Sequence, residues 1–508
     1  MTARIVLSAF VLALAAGCGG ASATSGGFPP VIQVRELAAA SDAPHVSRVR
    51  DLGAPTPLPD GALAHAHSDG KFTVGEYVLV EGEDFGKLPT VLIGGRPARV
   101  LARTVGGGIV TQVPTGIRAG TNPVEVSHPG GRGSVSIDVT RYAVVLDAGA
   151  GEVHFLDVGG DDAKVVSSTK LAGATRLRLS VDGAWAYVLA DGALATIALT
   201  GDGGPQVVHT TKVPTPGKVA GLALAGKTLV IVGQSWLQVF ALDEPETTAP
   251  YAPVKLAPEI AALGPLAADL SPDGQSLVVL TANNAVTQYS LATPGQPEQG
   301  DTTALLAGKR LPLVRDLRFD GAGTLWVVAG DSRESLAVGH SQTQLIRLEL
   351  HDATPHVVDV AGAGPPLAVT PAPRESLKAG TAINDSAGDL PIFVSTMDQK
   401  LVAAADADPA APTVASLAEP GQVVRTDSAG RGGPLKAIPA TVAGALALTP
   451  DASLILATAW SFEGGTPRFG VWLSGVGADA RPHFVALGAP SAAVGGLSSK
   501  LGAIAVQP

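Results

Sequence analysis

Apolar and polar positions follow two different rhythms along this chain. Between residues 44 and 140, short apolar runs with a period of two are separated by glycines. The clearest of these runs cover residues 77–80, 90–93, 109–113 and 123–126. Such alternation is typical of β-strands with one buried face, and runs this short and closely spaced suit a small β-sandwich.

From about residue 141 to the end, a longer unit repeats. It consists of an apolar strand, a polar turn and a second apolar strand. Neighbouring units lie about 45 residues apart over much of this region, which is the range of propeller blades. The turns read Ser180-Val181-Asp182-Gly183, Ser271-Pro272-Asp273-Gly274, Asp320-Gly321 and Thr449-Pro450-Asp451, with Ala225-Gly226-Lys227 as a variant without aspartate. The Asp-Gly pairs predict two-residue hairpin turns.

Counting these units predicts a β-propeller of about seven blades. Six units follow residue 170, a partial seventh covers residues 143–158, and one strand at 501–506 has no partner. If this last strand completes the first blade, the ring closes and no sheet edge is left bare. The irregular stretch 366–440 is expected to hold a degenerate blade with a long loop. The predicted fold class is therefore all-β: a small sandwich at 44–140 followed by a propeller at 141–508.

Both regions resemble known families. The sandwich resembles the IPT/TIG domains, an immunoglobulin-like family, at Gly75, Gly82-Glu83-Asp84-Phe85-Gly86, Ile93-Gly94-Gly95, Val113-Pro114-Thr115-Gly116, Gly120 and Val124-Glu125-Val126. That resemblance implies a structural or binding module with Phe85 in its core and with no catalytic residues to carry over. The repeats resemble the YVTN/WD40-like β-propeller superfamily at their Ser-Pro-Asp-Gly turns, which implies a rigid disc.

The N-terminus predicts export and lipid attachment. Arg4 is the only charged residue before Cys18, and residues 5–16 form an apolar run too short to span a bilayer. The run ends in Leu-Ala-Ala-Gly-Cys and resembles the lipobox of bacterial lipoproteins, although Ala15 stands where leucine is commonest. The resemblance implies a signal peptide at 1–17 and lipidation of Cys18, which would anchor the chain to a membrane of the cell envelope. Residues 18–43 are then a flexible tether, and residues 53–70 a long loop.

Composition narrows the function classes. The formal net charge is −10 and no long basic run occurs, which argues against binding of nucleic acid. Cys18 is the only cysteine, so an intramolecular disulfide and a thiolate metal cluster are excluded.

Several short motifs resemble nucleotide-binding, catalytic or metal-binding sites, but the residues around them do not favour these functions. Residues 221–228 match the Walker A pattern, but the apolar runs on both sides predict two strands and a turn, so no nucleotide is expected. Residues 339–343 lack the last glycine of a nucleophile elbow. The pair His65 and His67, near Asp60 and Asp69, is expected to be solvated. Asp161-Asp162 and Asp406-Ala407-Asp408 lack the glycine and the terminal glutamate of a calcium loop and are expected to be turn residues. We predict no metal site and no cofactor. The tryptophans are expected to pack between blades: Trp185, Trp236, Trp326, Trp460 and Trp472.

These patterns predict a non-enzymatic, lipid-anchored binding or scaffolding protein with a protein or glycan partner on a propeller face. An enzyme is the rival hypothesis, because some YVTN-like propellers resemble lactonases or lyases with their site at the central channel. The candidates for such a site are Arg178, Asp269 and Arg315-Asp316, if they converge there. A tight ionisable cluster in the channel would favour the enzyme, and an apolar or empty channel the scaffold. A third hypothesis is an accessory lipoprotein of an outer-membrane assembly machine.

Overall fold

A computed structural model describes most of the chain after residue 41. The described residues are 42–53, 55–57, 63–65, 71–104, 106–159, 163–200, 204–213, 219–242, 249–306, 313–330, 343–350, 352–360, 366–371, 392–396, 422–426, 432–434, 441–450, 453–461, 468–475, 481–487 and 502–508. They form β-strands almost throughout, with one short helix. No helix among these residues has the length and apolarity required to cross a membrane.

The strands up to Thr140 form two facing sheets and one small hairpin. One sheet has the order β1-β5-β9-β8 and the other the order β4-β11-β10-β6-β7, while β2 pairs with β3. The hairpin lies within the stretch for which the sequence predicted only a loop. The strands are β1 (His45–Gly53), β2 (Pro55–Pro57), β3 (Leu63–His65), β4 (Phe72–Thr73), β5 (Tyr77–Glu83), β6 (Thr90–Ile93), β7 (Arg96–Ala98), β8 (Ala102–Arg103), β9 (Ile109–Gln112), β10 (Gly120–His128) and β11 (Gly131–Thr140).

The two sheets enclose a single apolar core. Inward residues of both sheets contribute to it, including Val78, Ile93 and Val124, which are fully buried. Phe85 lies in this core, as expected. Gly82 lies so close to the neighbouring strand that a Cβ atom there would stand 2.0 Å from the carbonyl oxygen of His45. Only glycine allows this approach, which explains its place in the sequence pattern.

The chain from Tyr142 onward forms seven sheets among the described residues. We number these sheets as blades in the order of the chain. Blade 1 is β14-β13-β12-β40, blade 2 is β15-β16-β17-β18, and blade 3 is β19-β20-β21 with β22 and β23. Their strands before the helix are β12 (Tyr142–Asp147), β13 (Glu152–Asp157), β14 (Lys164–Lys170), β15 (Ala174–Leu179), β16 (Trp185–Ala190), β17 (Ala193–Ala198), β18 (Gln206–Lys212), β19 (Val219–Ala225), β20 (Thr228–Gly233), β21 (Trp236–Ala241), β22 (Ala249–Pro250) and β23 (Val254–Lys255).

Helix α1 (Pro258–Leu263) leads from blade 3 to blade 4. Blade 4 is β24-β25-β26-β27, blade 5 is β28-β29-β30-β31, blade 6 is β32-β33-β34-β35, and blade 7 is β36-β37-β38-β39. The strands are β24 (Pro265–Leu270), β25 (Ser276–Thr281), β26 (Ala285–Ser290), β27 (Glu298–Ala304), β28 (Leu313–Phe319), β29 (Thr324–Gly330), β30 (Thr343–Glu349), β31 (Asp352–Val360), β32 (Pro366–Pro371), β33 (Ile392–Thr396), β34 (Gln422–Thr426), β35 (Gly432–Pro434), β36 (Thr441–Leu448), β37 (Leu454–Ser461), β38 (Arg468–Gly475), β39 (His483–Ala486) and β40 (Ala503–Val506).

The last strand closes the ring as the sequence predicts. Strand β40 pairs antiparallel with β12 and becomes the innermost strand of blade 1. An apolar cluster then joins blade 7 to blade 1 through residues such as Val145 and Leu456. The irregular stretch after residue 366 supplies blade 6, also as expected. The chain is therefore an all-β protein with a β-propeller.

Burial explains the repeating pattern. The middle strands of a blade are covered on both faces by the neighbouring blades, so β16 and β29 are buried at every position. They appear in the sequence as continuous apolar runs. The outer strands β14, β18 and β27 are polar and largely exposed, so the pattern gave no sign of them. The five tryptophans are all at most 5% exposed, in blade strands, and the packing interpretation is correct.

The turns of blades 2 and 4 have the same shape because side chains bond to the backbone at equivalent positions. In blade 2, Ser180 Oγ accepts the N–H of Trp185 at 3.0 Å and donates to the Asp182 carboxylate at 2.5 Å. The Ser271 and Asp273 pair does the same in blade 4. The predicted two-residue hairpin is wrong for these turns. Because the Ser180 N–H bonds to the Trp185 carbonyl, the loop has four residues.

The segment that matches Walker A is a β-hairpin. Residues 221–225 lie in β19, and Thr228 begins β20. Ala225 pairs with Thr228, so Gly226 and Lys227 form a two-residue turn, and Gly226 adopts a φ of 54°. The strand–turn–strand prediction is confirmed. A phosphate-binding P-loop would instead open a helix.

A buried amide joins the sandwich to the propeller. Gln507, fully buried, directly follows β40. Its Oε1 accepts the N–H of Tyr142 at 2.7 Å, and its Nε2 donates to the carbonyls of Gly183 at 2.7 Å and Val74 at 3.4 Å. These three partners belong to blade 1, to the turn of blade 2 and to the sandwich. Gln507 therefore holds the ring closure and the sandwich together at the C-terminal ends of the inner strands.

Candidate functional site

A cavity of about 240 Å³ lies in the central channel of the propeller. The innermost strands of all seven blades, β15, β19, β24, β28, β32, β36 and β40, contribute to its lining, together with Gly502. The lining residues together span most of the length of these strands, as Thr175–Arg178 in the six-residue strand β15 show. Leu266, the second residue of β24, lines the cavity and is 44% exposed, so this end of the channel reaches solvent.

The mouth of the cavity lies at the end of the channel away from the sandwich. Inner strands of a propeller run in the same direction around the ring. The exposed Leu266 lies near the start of its strand, whereas Gly183 and Gln507, which bond to each other, follow the ends of theirs, and Gln507 also bonds to the sandwich. The sandwich and the cavity mouth therefore lie toward opposite ends of the inner strands.

Charged side chains converge on the cavity from blades 2 and 5. Its lining includes four arginines, Arg176, Arg178, Arg315 and Arg318, and one aspartate, Asp316. Asp269 of blade 4 joins this group, because its Oδ1 lies 3.9 Å from the Arg178 guanidinium. The guanidinium groups of Arg176, Arg178 and Arg318 thus lie close to the carboxylates of Asp269 and Asp316, in a chain whose net charge is −10.

Both carboxylates accept a backbone hydrogen bond from the next blade. Asp269 Oδ2 accepts the N–H of Phe319 at 3.0 Å, which links blade 4 to blade 5. Asp316 Oδ2 accepts the N–H of Val369 at 3.2 Å, which links blade 5 to blade 6. Their contacts with arginine are longer, 3.9 Å in each pair. These distances indicate that the main interaction of each carboxylate is the hydrogen bond that links two neighbouring blades.

The guanidinium groups are fixed by their own strands. Nη1 of Arg176, Arg178 and Arg318 each donates to the carbonyl of the residue before it, at 2.9–3.2 Å. Nη2 of Arg176 also donates to the carbonyl of Ala220 in blade 3, at 3.2 Å. Since a guanidinium has five N–H groups, these bonds orient it and leave donors for a ligand in the cavity.

The arginines on opposite sides of the channel repel each other. Burial, and then the positive charge of Arg318, lowers the pKa of Arg178 to about 10. The same two causes, in the same order, lower the pKa of Arg176. Burial also acts to lower the pKa of Arg318, but Asp316 and Asp269 outweigh it, and that pKa is raised. All three side chains remain positively charged at neutral pH.

The rest of the cavity wall is small and apolar. Blades 6, 7 and 1 contribute Ala368, Gly444, Ala445, Gly502 and Ala503, which leave space opposite the arginines. Thr175 has the only hydroxyl group among the described lining residues, which include no histidine, glutamate, lysine or tyrosine. One oxygen of each carboxylate accepts a backbone N–H, and the other lies 3.9 Å from a guanidinium nitrogen.

Three of the four residues proposed from the sequence, Arg178, Arg315 and Asp316, line the cavity, and Asp269 stands behind Arg178. Arg176 and Arg318 were not among the residues predicted from the sequence. A signal for Arg318 existed: Arg178, Asp269 and Arg318 each precede the leucine or phenylalanine that leads into the blade turn. Aligning the repeats on those turns would have placed all three at one level of the channel.

The described residues do not bring the other candidate sites together. Within the described ranges, no group of three or more histidine, cysteine, aspartate or glutamate residues could hold a metal ion. His65 ends β3. Cys18, His67, Asp161-Asp162, residues 339–342 and Asp406-Ala407-Asp408 lie outside the described residues.

Comparisons with known proteins show likeness in structure alone. No family model matches the chain, and no curated protein matches it. A solved structure from Bacteroides fragilis, named a "putative 6-phosphogluconolactonase", is 12% identical, with a TM-score of 0.48 over 72% of this chain and 98% of that one. A functionally unknown protein from Desulfotomaculum acetoxidans is also 12% identical, with a TM-score of 0.46 over the same shares. The Cps50 (Swd1) β-propeller domain of Myceliophteria thermophila is 10% identical, with a TM-score of 0.38 over 63% of this chain and 87% of that one.

Proposed function

We propose that this protein is a non-enzymatic binding protein of the cell envelope, tethered through lipidated Cys18, whose propeller receives a small ligand in its central channel. The observation that carries the binding role is the cavity of about 240 Å³ in which Arg176, Arg178 and Arg318 meet. Pockets for drug-sized ligands enclose about 300–1,000 Å³, so the ligand is smaller than these.

The charged channel also bears on the enzyme hypothesis. An ionisable cluster at this place was the feature expected of a lactonase or lyase. Its composition favours binding, because the lining supplies mainly guanidinium groups and both carboxylates hold the N–H groups of neighbouring blades. The assembly-machine hypothesis remains a prediction.

The two domains have separate roles in this proposal. The sandwich, which we propose to be of the IPT/TIG type, is the spacer after the tether at 18–43. Gln507 and Gly183 hold it at one end of the inner strands, while the cavity mouth with Leu266 lies toward the other. A ligand can therefore reach the channel from the face that the spacer does not cover.

Ligand-observed NMR with a mixed library of neutral, cationic and anionic small molecules tests the binding site. The parent is compared with Leu266→Trp, which narrows the mouth at an exposed position. We expect several compounds to bind the parent and to lose binding in the variant. Compounds that bind both proteins equally would place the binding surface on the outside of the propeller and contradict the channel site.

Detergent partitioning tests the tether. We expect the parent to enter the detergent phase and Cys18→Ala to stay in the aqueous phase, because acyl chains on the cysteine provide the anchor. Equal partitioning of the two proteins would contradict lipidation at Cys18.

A further inference from the structure

The two charged sides of the channel suggest what the ligand is. Blade 2 provides Arg176 and Arg178, and blade 5 provides Arg315 and Arg318. Arg176, Arg178 and Arg318 bring three positive charges close to the two carboxylates of Asp269 and Asp316, and each carboxylate has its shorter hydrogen bond to a backbone N–H group. These three guanidinium groups are therefore only partly balanced by the carboxylates of the described residues.

We infer that the channel binds a small dianion, whose carboxylate or phosphate oxygens bridge the arginines of blades 2 and 5. This inference rests on the proposed function and names the chemical class of its ligand. Two negative charges allow one ligand to interact with Arg176 or Arg178 of blade 2 and with Arg318 of blade 5 at the same time. Guanidinium groups bind carboxylate and phosphate oxygens through paired N–H donors, which gives such a site geometric selectivity as well as charge.

Mutual repulsion adds to the attraction for a dianion. Burial is the larger cause that lowers the pKa of Arg176 and Arg178, and the charge of Arg318 lowers both further. An anion between them would reduce this repulsion, and the half-buried position of the side chains limits screening by salt. The Arg178 and Arg318 side chains are 23% and 34% exposed, so they are reachable from solvent.

The small-residue wall limits the size of the dianion. Ala368, Ala445 and Ala503 lie on the side of the channel formed by blades 6, 7 and 1. They leave space for a short carbon chain or a single phosphate group, and they offer it no polar side chain. The expected ligand therefore has its charges on one side and little polar surface on the other.

Isothermal titration at constant ionic strength provides the test. The probes are succinate and inorganic phosphate as dianions, acetate as a monoanion, and succinamide as a neutral molecule of the same shape as succinate. We expect at least one dianion to bind more tightly than acetate, and succinamide to show no binding.

Two channel variants and one control locate the binding. We expect Arg176→Gln and Arg318→Gln each to weaken dianion binding by about tenfold or more, since each removes charge-assisted hydrogen bonds. Arg347→Gln removes the same charge from blade 5 at an exposed site, where Arg347 pairs with Glu349, and should leave affinity within about twofold. Circular dichroism verifies that each variant is folded, and the two channel variants serve as independent tests.

The outcomes separate this inference from the proposed function. If succinamide binds as tightly as succinate and Leu266→Trp abolishes both, the channel is a binding site but the anion inference is wrong. If dianions bind Arg176→Gln, Arg318→Gln and the parent equally well, the inference that a dianion bridges the arginines of blades 2 and 5 is wrong. If no molecule of the NMR library or of these probes depends on Leu266, the proposed function itself fails.

Discussion

Polar groups are buried and fully hydrogen-bonded at one end of the inner strands, and they line a cavity that reaches solvent from the other end. At the sandwich end, Gln507 is fully buried and its amide has three hydrogen-bond partners in three parts of the molecule. In the channel that opens at the other end, Arg176, Arg178 and Arg318 line a cavity beside the two carboxylates of Asp269 and Asp316. A satisfied buried amide fixes an arrangement of backbone, whereas an unbalanced charged cluster that reaches solvent is suited to a ligand. We therefore assign structure to the first end and binding to the second.

Removing the last strand should have the largest effect. A chain that stops after Ser499 loses β40, leaves β12 as a bare edge and removes Gln507. We expect a loss of more than about 5 kcal/mol in unfolding free energy, from ladder bonds of about 1 kcal/mol each and the burial of Ile504. Thermal denaturation and light scattering measure the loss and the aggregation that follows. Removal of Pro508 alone is the control, and unchanged stability of the longer deletion would refute the closure of the ring by β40.

Gln507→Leu tests the amide alone. The substitution keeps the approximate volume and the strand but leaves the Tyr142 N–H and two carbonyls without this partner. We expect a loss of about 2–4 kcal/mol, because unpaired buried polar groups keep their desolvation cost. Urea unfolding measures it, with Gln344→Leu as the control, since Gln344 bonds only to Asp359 at an exposed site among the described residues. A loss no larger than that of the control would mean that the amide does not hold the junction.

Arg176→Gln makes the same kind of change at the cavity end. Its side chain has no carboxylate partner among the described ion pairs, and its pKa is lowered by burial and by Arg318. We expect unfolding free energy to change by less than about 1 kcal/mol in the absence of ligand, because the lost contacts are offset by reduced repulsion. Urea unfolding beside Gln507→Leu provides the comparison. Equal losses in the two variants would remove the distinction between a structural end and a binding end.

His154 provides a contrast to Gln507, because it is buried but its Nε2 has no hydrogen-bond partner among the described residues. It is 3% exposed in β13, and Glu152 Oε2 lies 3.8 Å from this nitrogen. Burial lowers the pKa of His154, although Glu152 and Asp147 act to raise it, and Lys170 is the nearby cation through its pairing with Glu152. The native state then resists protonation, so stability present above pH 6.5 falls as pH falls through the native pKa.

We expect this to be the smallest of the four effects. The melting temperature of the parent should fall more between pH 7.5 and pH 5 than that of His154→Gln, which cannot titrate. His209→Gln, at an exposed site in the outer strand β18, is the matched control and should follow the parent. If His154→Gln and the parent lose the same amount, His154 does not contribute to the acid response.

The fold followed from the sequence where burial left a pattern. Middle strands such as β16 and β29 are covered on both faces, and their turns repeat a hydroxyl and a carboxylate, so blades and ring closure were predictable. The outer strand β27, Glu-Gln-Gly-Asp-Thr-Thr-Ala, is exposed and leaves no apolar rhythm. The turn length was wrong because Asp-Gly alone does not reveal that Ser180 Oγ replaces a carbonyl as the acceptor for Trp185.

The candidate site was predictable only in part. Arg178, Asp269 and Arg315-Asp316 could be named, but their convergence depends on the closure of the ring. Gln507 left no signal, because its role is set by three backbone groups far apart in the chain.

A crystal structure of the protein with succinate tests the central claim most directly. We expect the dianion in the channel, with its carboxylate oxygens within hydrogen-bond distance of Arg176 or Arg178 on one side and of Arg318 on the other, and no succinate at the Gln507 junction. A channel that stays free of succinate at concentrations that saturate binding in solution, or succinate bound only on the outer strands, would contradict the assignment of the cavity end as the binding end.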